Sequence, residues 1–255
     1  MPIQQRTNPW LAFSNPQPDA RLRMFCFPYA GGGASFYRLW ANELPAEVDV
    51  CPVQLPGHET RIREPLISDL EPLLDAAAEG LSDYMDLPFV LFGHSMGALV
   101  AFEFARRLHR QKNSTPVRLI VSGYEAPQFP HQSALRHDLP DNELVSELAN
   151  LNGTASEALQ SEELMQFIIP LLRADCRVCD LYEYSDQSPL PCPITAYGGS
   201  EDPETTQYPL HSWKMHTSSD FEYKMFNGGH FFPQSAGPEF IRSLSDTLLR
   251  TIHEL

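Results

Sequence analysis

The sequence predicts an α/β fold built on a mostly parallel, doubly wound sheet. Three observations carry this. Short runs rich in β-branched and aromatic residues alternate with longer segments of helical periodicity. Several of the short runs are apolar on both faces, as strands covered by helices on both sides must be. One of them leads directly through Gly93-His94-Ser95-Met96-Gly97 into an amphipathic segment.

In chain order, the first twenty residues are rich in Pro, Asn and Gln and read as an irregular lead-in, with Trp10, Leu11 and Phe13 as anchors. Strands are expected at residues 21–27, 48–54, 89–92, 117–122, 194–197 and 221–226. Helices are expected near 36–43, 70–85, 96–111 and 240–253. Between 123 and 191 no strand is convincing, but helical stretches stand out near 141–151 and 162–183. That interval is too long for a plain loop in a compact domain. It predicts a single domain over 1–255 carrying a helical lid insertion over 124–190, and 255 residues suffice for one large core.

Composition narrows the function. With 33 acidic and 18 basic side chains, the formal net charge is -15, which argues against nucleic acid and against an anionic membrane surface. No stretch approaches 18 apolar residues, and the N-terminus has no apolar leader-like run. Five scattered cysteines read as reduced thiols in a cytoplasmic protein. Cys176 and Cys179 form a CxxC, but no second pair completes a zinc site, so no metal is expected.

The chemistry is carried by the segment 88–102. A strand, the sharp turn Gly93-His94-Ser95-Met96-Gly97 and a helix are the setting in which G-x-S-x-G marks a nucleophilic serine of the α/β-hydrolase fold. Side chains at Gly93 or Gly97 would clash with the neighbouring strand or helix. Ser95 would stand at the helix N-terminus, where the Met96 amide can help to bind an oxyanion. A hydroxyl needs a base, and in this fold the acid and then the histidine follow the serine. Asp202 ends the Gly-rich turn after the strand at 194–197, and His230 follows Gly228-Gly229 after the strand at 221–226. Glu201 and Glu125 compete with Asp202 as the acid. The loop after the first strand, Tyr29-Ala30-Gly31-Gly32-Gly33, offers the Ala30 amide as second oxyanion donor. It lacks the features of a phosphate cradle. A small-molecule esterase or an acyltransferase would share these groups. A non-catalytic binding module would have no use for them.

In order and spacing, FPYAGGGASFYRLW, QLPGHETR, GHSMGALVAFE, LLRADCRVCDLYEY, YGGSEDP and GGHFF resemble the type II thioesterases that serve polyketide synthases and nonribosomal peptide synthetases. The similarity runs from about Leu22 to the C-terminus. It implies hydrolysis of acyl thioesters from the phosphopantetheine arm of acyl- or peptidyl-carrier proteins, with no cofactor beyond the arm that the substrate brings. It also assigns the triad to Ser95, Asp202 and His230 and the oxyanion amides to Ala30 and Met96. One departure is His58, where that family commonly has arginine. For docking to an acidic carrier protein, the candidate cations are Arg61, Arg63, Arg173 and Arg177. Their plainer role is pairing with acids such as Glu59, Glu64 and Asp175.

Overall fold

The computed structural model describes residues 8–13, 17–111, 115–129, 135–150 and 162–255. Six strands, β1 (Leu22–Phe27), β2 (Val48–Pro52), β3 (Phe89–His94), β4 (Arg118–Ser122), β5 (Ile194–Gly199) and β6 (Phe221–Phe226), form one sheet in the order β2-β1-β3-β4-β5-β6. All five pairings are parallel. The helices are α1 (Leu70–Leu81), α2 (Met96–Gln111), α3 (Asp141–Asn150), α4 (Glu162–Asp180), α5 (Gln207–His211), α6 (Phe232–Ser235) and α7 (Gly237–His253).

Alternation along the strands divides the core between the two faces of the sheet. Phe25, Phe27, Leu91, Leu119 and Val121 point to one side, where Leu73, Leu74 and Leu81 of α1 and Ala98, Ala101 and Phe104 of α2 cover them. Met24, Cys26, Val90, Phe92 and Ile120 point to the other. There Phe240, Leu244, Leu248 and Ile252 of α7 form a stripe at helical spacing, joined by Tyr37 and Trp40. Both faces are covered, so every described residue of β2, β3, β4 and β5 is buried.

The winding direction reverses between β1 and β3. The chain steps outward to β2, then returns to the other side of β1. The loops leaving β1 and β3 therefore diverge at the carboxyl edge and open a crevice there, where sheets of this kind bind ligands.

Two details of the lead-in and first crossover differ from expectation. Residues 36–43 form no α-helix. The segment holds two short 3-10 turns, Ala34–Tyr37 and Trp40–Asn42, with Tyr37 and Trp40 both packed edge-on against Phe92 of β3. In the lead-in, Trp10 and Leu11 are buried and Leu11 bridges Val53 antiparallel, whereas Phe13 is exposed. Between β4 and β5, α3 and α4 pack through Leu144, Leu172 and Cys176. The expected helical stretch at 141–151 ends in the structure at Asn150, and Leu151 lies outside the described residues.

Candidate active site

Ser95 sits where β3 turns into α2, with φ of 54°, a left-handed conformation that is strained for a side-chain-bearing residue. The turn closes only because its flanks are bare. A Cβ on Gly93 would lie 1.9 Å from the Gly97 carbonyl oxygen, and one on Gly97 would lie 2.1 Å from that of Phe27. The Ser95 amide donates to the Ser122 carbonyl at 2.8 Å and ties the turn to the end of β4. Met96 is the first residue of α2, so its amide has no acceptor one turn earlier in the helix.

Asp202 and His230 reach Ser95 from the ends of β5 and β6. The two loops meet backbone to backbone. A Cβ on Gly199 would lie 2.4 Å from the Gly229 carbonyl oxygen, and the amides of Ser200 and Glu201 donate to Phe226 and Gly228 at 2.8 and 2.9 Å. His230 Nε2 lies 2.9 Å from Ser95 Oγ, and its Nδ1 lies 2.9 Å from Asp202 Oδ2. Asp202 Oδ1 also accepts the Glu204 amide at 2.9 Å. Asp202 and His230 are both buried, which strengthens their interaction by excluding water.

The competing acids are elsewhere. Glu201 is exposed. Glu125 is half-buried, and its carboxyl is held above the usual range by burial and by the neighbouring carboxylates Glu204 and Asp202. Among the described residues it has no hydrogen bond to His230. Beneath the site, His94 is wholly buried with its ring 5.2 Å from that of His230, and burial together with that neighbour pushes its pKa well below the ordinary value.

Ala30 lies in the loop leaving β1, in a turn closed by the Gly32 amide donating to the Tyr29 carbonyl at 2.9 Å. The amides around it have acceptors: Gly31 bonds Asp175 Oδ2 at 2.7 Å, Ala34 bonds Gln54 Oε1 at 3.2 Å, and Ser35 bonds Glu59 Oε2 at 3.1 Å. The Ala30 amide has none among the described residues.

The structure separates the four arginines. Arg61 is buried, lies 4.5 Å over the Trp10 ring, and donates to the Gln54 carbonyl at 3.0 Å and to Glu64 at 2.6 and 2.8 Å. Of its two expected roles the structure shows the plainer one, pairing with Glu64, and its guanidinium holds the lead-in against the loop after β2 instead of standing exposed for docking. Arg173 bonds the Leu139 carbonyl at 2.9 Å and Asp141 at 2.6 Å, along with the His137 carbonyl, inside the segment between β4 and β5. Arg63 is exposed, and Arg177 reaches Asp69 at 3.4 Å. Asp175, expected beside arginines, is buried and bonded to His58 Nε2 at 2.9 Å. That contact spans 117 residues. The only sequence signal for it is the unusual histidine after Pro56-Gly57.

The thioesterase domain model matches residues 22–248. The gramicidin S biosynthesis protein GrsT of Aneurinibacillus migulanus is 41% identical over 248 residues, covering 97% of each chain. Among solved structures, the RedJ thioesterase from the prodiginine biosynthetic pathway in Streptomyces coelicolor superposes with a TM-score of 0.84 at 37% identity, covering 89% of this chain and 90% of that one. The type II thioesterase BorB from the borrelidin biosynthetic cluster gives 0.83 at 35% identity, covering 92% and 95%. A parallel six-stranded sheet, a strained serine at the switch point and a matched model over nearly the whole chain lead to one conclusion: this chain belongs to the thioesterase domain family and is a hydrolase acting on thioesters.

Proposed function

We propose that the chain is a type II, editing thioesterase that clears acyl groups from the phosphopantetheine arm of acyl- or peptidyl-carrier proteins, with Ser95 as nucleophile, His230 as base and Asp202 as acid. The observation that carries this reading is the hydrogen-bonded chain Ser95–His230–Asp202 at the carboxyl edge of the sheet. His230 takes the Ser95 proton as Oγ attacks the thioester carbonyl, and the developing oxyanion is met by the amides of Ala30 and Met96. When the tetrahedral intermediate collapses, the C–S bond breaks and the pantetheine sulfur leaves with the proton from His230. Water then attacks the acyl-enzyme, again giving its proton to His230, and Ser95 is regenerated as the acid departs. Asp202 holds the imidazole tautomer and stabilises the imidazolium. The pantetheine belongs to the substrate, and no resident metal or cofactor takes part.

The segment 124–190 acts as a lid within a single domain. Arg136 pairs with Glu204 beside the acid, and Asp175 reaches the loop of Ala30, so the described part of the segment touches the site from both sides. The editing role is supported by solved structures named for NRPS/PKS pathways, the type II thioesterase YbtT of the yersiniabactin pathway and ClbQ of the colibactin pathway. A cytoplasmic setting suits a carrier-protein partner. Among the described residues no helix is long and apolar enough to cross a membrane. The test compares kcat/KM on an acyl-carrier protein, the matching acyl-pantetheine and the matching oxygen ester. The reading requires the carrier-bound thioester to be the best substrate. Preference for the oxygen ester, or transfer to an added alcohol or amine in place of water, would assign the chain to esterases or acyltransferases.

A further inference from the structure

The turn that carries Ala30 is held from outside by one buried pair. Residues 29–32 form a turn closed by Gly32 N–H to the Tyr29 carbonyl, with Gly31 at φ of 80° in the position that demands a left-handed backbone. The Tyr29 carbonyl points into the turn. Because the peptide is trans and planar, the Ala30 N–H in the same peptide points out of it. The next amide, Gly31, donates to Asp175 Oδ2 on α4 at 2.7 Å. The same oxygen faces His58 Nε2 at 2.9 Å, while His58 Nδ1 faces the Pro56 carbonyl at 2.9 Å. His58 and Asp175 are each about 3% exposed or less.

Both partners of the His58 ring are acceptors. A carbonyl has no proton to give, and neither has an ionised carboxylate. Both ring nitrogens must donate, so the geometry calls for an imidazolium. The charged groups facing it are Asp175 from α4 and Glu59 from the adjoining turn, both acids. Glu59 itself bonds the Ser35 amide and hydroxyl. From the loop after β1 the Gly31 amide meets the same carboxylate oxygen, and Arg61 is bonded to Glu64 and the Gln54 carbonyl. Although burial opposes its charge, these acids raise the His58 pKa above the ordinary 6.5.

We propose that His58 and Asp175 are positioning residues of the hydrolysis, an imidazolium–carboxylate pair that clamps the Ala30 turn to α4 and aims the Ala30 amide at the oxyanion. The proposal rests on the reading of Ala30 as an oxyanion donor. When His58 loses its proton, the buried Asp175 carboxylate keeps the Gly31 amide but loses its counter-charge, and the clamp loosens. The clamp is complete below the ordinary histidine value and is lost as pH rises through the raised one.

The experiment measures kcat and KM from pH 5.5 to 9.5 with a short acyl thioester of N-acetylcysteamine, corrected for spontaneous hydrolysis. The variants are His58→Arg, His58→Gln and Asp175→Asn. In the unaltered enzyme kcat should fall on the alkaline side with a midpoint above 6.5 while KM changes less than about twofold. His58→Gln and Asp175→Asn should lower kcat about ten- to hundredfold, below the full cost of deleting an oxyanion donor, with no alkaline fall. His58→Arg keeps a cation facing Asp175, so it should restore kcat relative to His58→Gln and also abolish the alkaline fall. Hydrogen exchange at residues 29–33, compared at equal pH, should be faster in His58→Gln than in His58→Arg. An alkaline fall that survives in His58→Arg, or its absence from the unaltered enzyme, overturns the proposal. If His58→Gln fails to fold, the unaltered and arginine profiles decide alone, and if the arginine variant fails too, the unaltered profile and its exchange at residues 29–33 across pH decide. Fluorophosphonate labelling of Ser95 keeps the two levels apart: loss of labelling in the unaltered enzyme sinks the serine-hydrolase reading, whereas labelling with an unchanged pH profile sinks only the clamp.

Discussion

On the side of β5 and β6 the site is held by backbone against backbone, with Gly199 pressed on the Gly229 carbonyl and the amides of Ser200 and Glu201 stitched to the neighbouring loop. On the side of β1 and β2 it is held by side chains. Asp175, Gln54 and Glu59 each accept an amide of the loop that carries Ala30. The first wall is set by peptide geometry and is indifferent to ionisation. The second depends on carboxylates and on how α4 docks. Asp202 and His230 are thus mounted on the wall held by backbone, and Ala30 on the wall that is bonded to α4.

The largest perturbation strikes the group that both walls address. Ser95→Ala should lower kcat by about a millionfold if this triad behaves as others do, with an unchanged circular dichroism spectrum. A folded variant that keeps a few per cent of turnover would remove Ser95 from the chemistry. Next, the wall held by backbone can be tested through its acid. Asp202→Asn should cost roughly ten-thousandfold in kcat, by analogy with other tautomer-holding acids, and Glu125→Gln less than about fivefold. The reverse ranking would mean that β4 rather than β5 supplies the acid.

The side-chain wall has its own test in stability. Arg61 supports Gln54, which in turn holds Ala34. Arg61→Glu would bury a carboxylate beside the Gln54 carbonyl and the Trp10 ring. It should destabilise by roughly 3 kcal/mol, as an uncompensated buried charge does. The exposed neighbour Arg63→Glu should stay within about 0.5 kcal/mol. Urea denaturation of both variants checks this, and equal effects would mean that Arg61 is not part of the support. Arg63 and Arg177 remain the cations on which carrier-protein docking can be tested.

The smallest effect concerns pH and a histidine outside both walls. His216 is buried against Phe102 and Trp213, and burial lowers its pKa to about 4. A depressed histidine stabilises the fold above its unfolded value near 6.5, and that contribution is lost as pH falls toward 4. His94 acts in the same direction. His58 has the opposite sign. The thermal midpoint should therefore decline between pH 6.5 and 4, and the decline should shrink in His216→Gln. A decline of unchanged size would place the acid sensitivity elsewhere.

Much of the molecule was legible from local pattern. The six strands fall within a few residues of their expected bounds, and α2 coincides with the expected 96–111. Alternation and helical spacing are properties of neighbours in the chain. The same holds for the Ser95 turn, whose need for Gly93 and Gly97 arises within five residues. The failures are of another kind. Residues 36–43 have helical spacing, but the aromatic cluster over β3 draws them into 3-10 turns. The pairing of Arg61 with Glu64 was legible, but the docking role weighed beside it ignored Trp10, which the lead-in lays across the guanidinium.

What the sequence determined by itself is therefore the parallel sheet, the strained serine between strand and helix, and the short list of acids and histidines at strand ends. Only the tertiary structure decided which acid meets His230, which arginine is buried, and that His58 and Asp175, 117 residues apart, share one oxygen with the Gly31 amide. The reason is geometric. Periodicity and turn stereochemistry act over a few bonds, whereas the meeting of side chains from β2, β5, β6 and α4 depends on the order in which the strands pair, and no local stretch of sequence encodes that order.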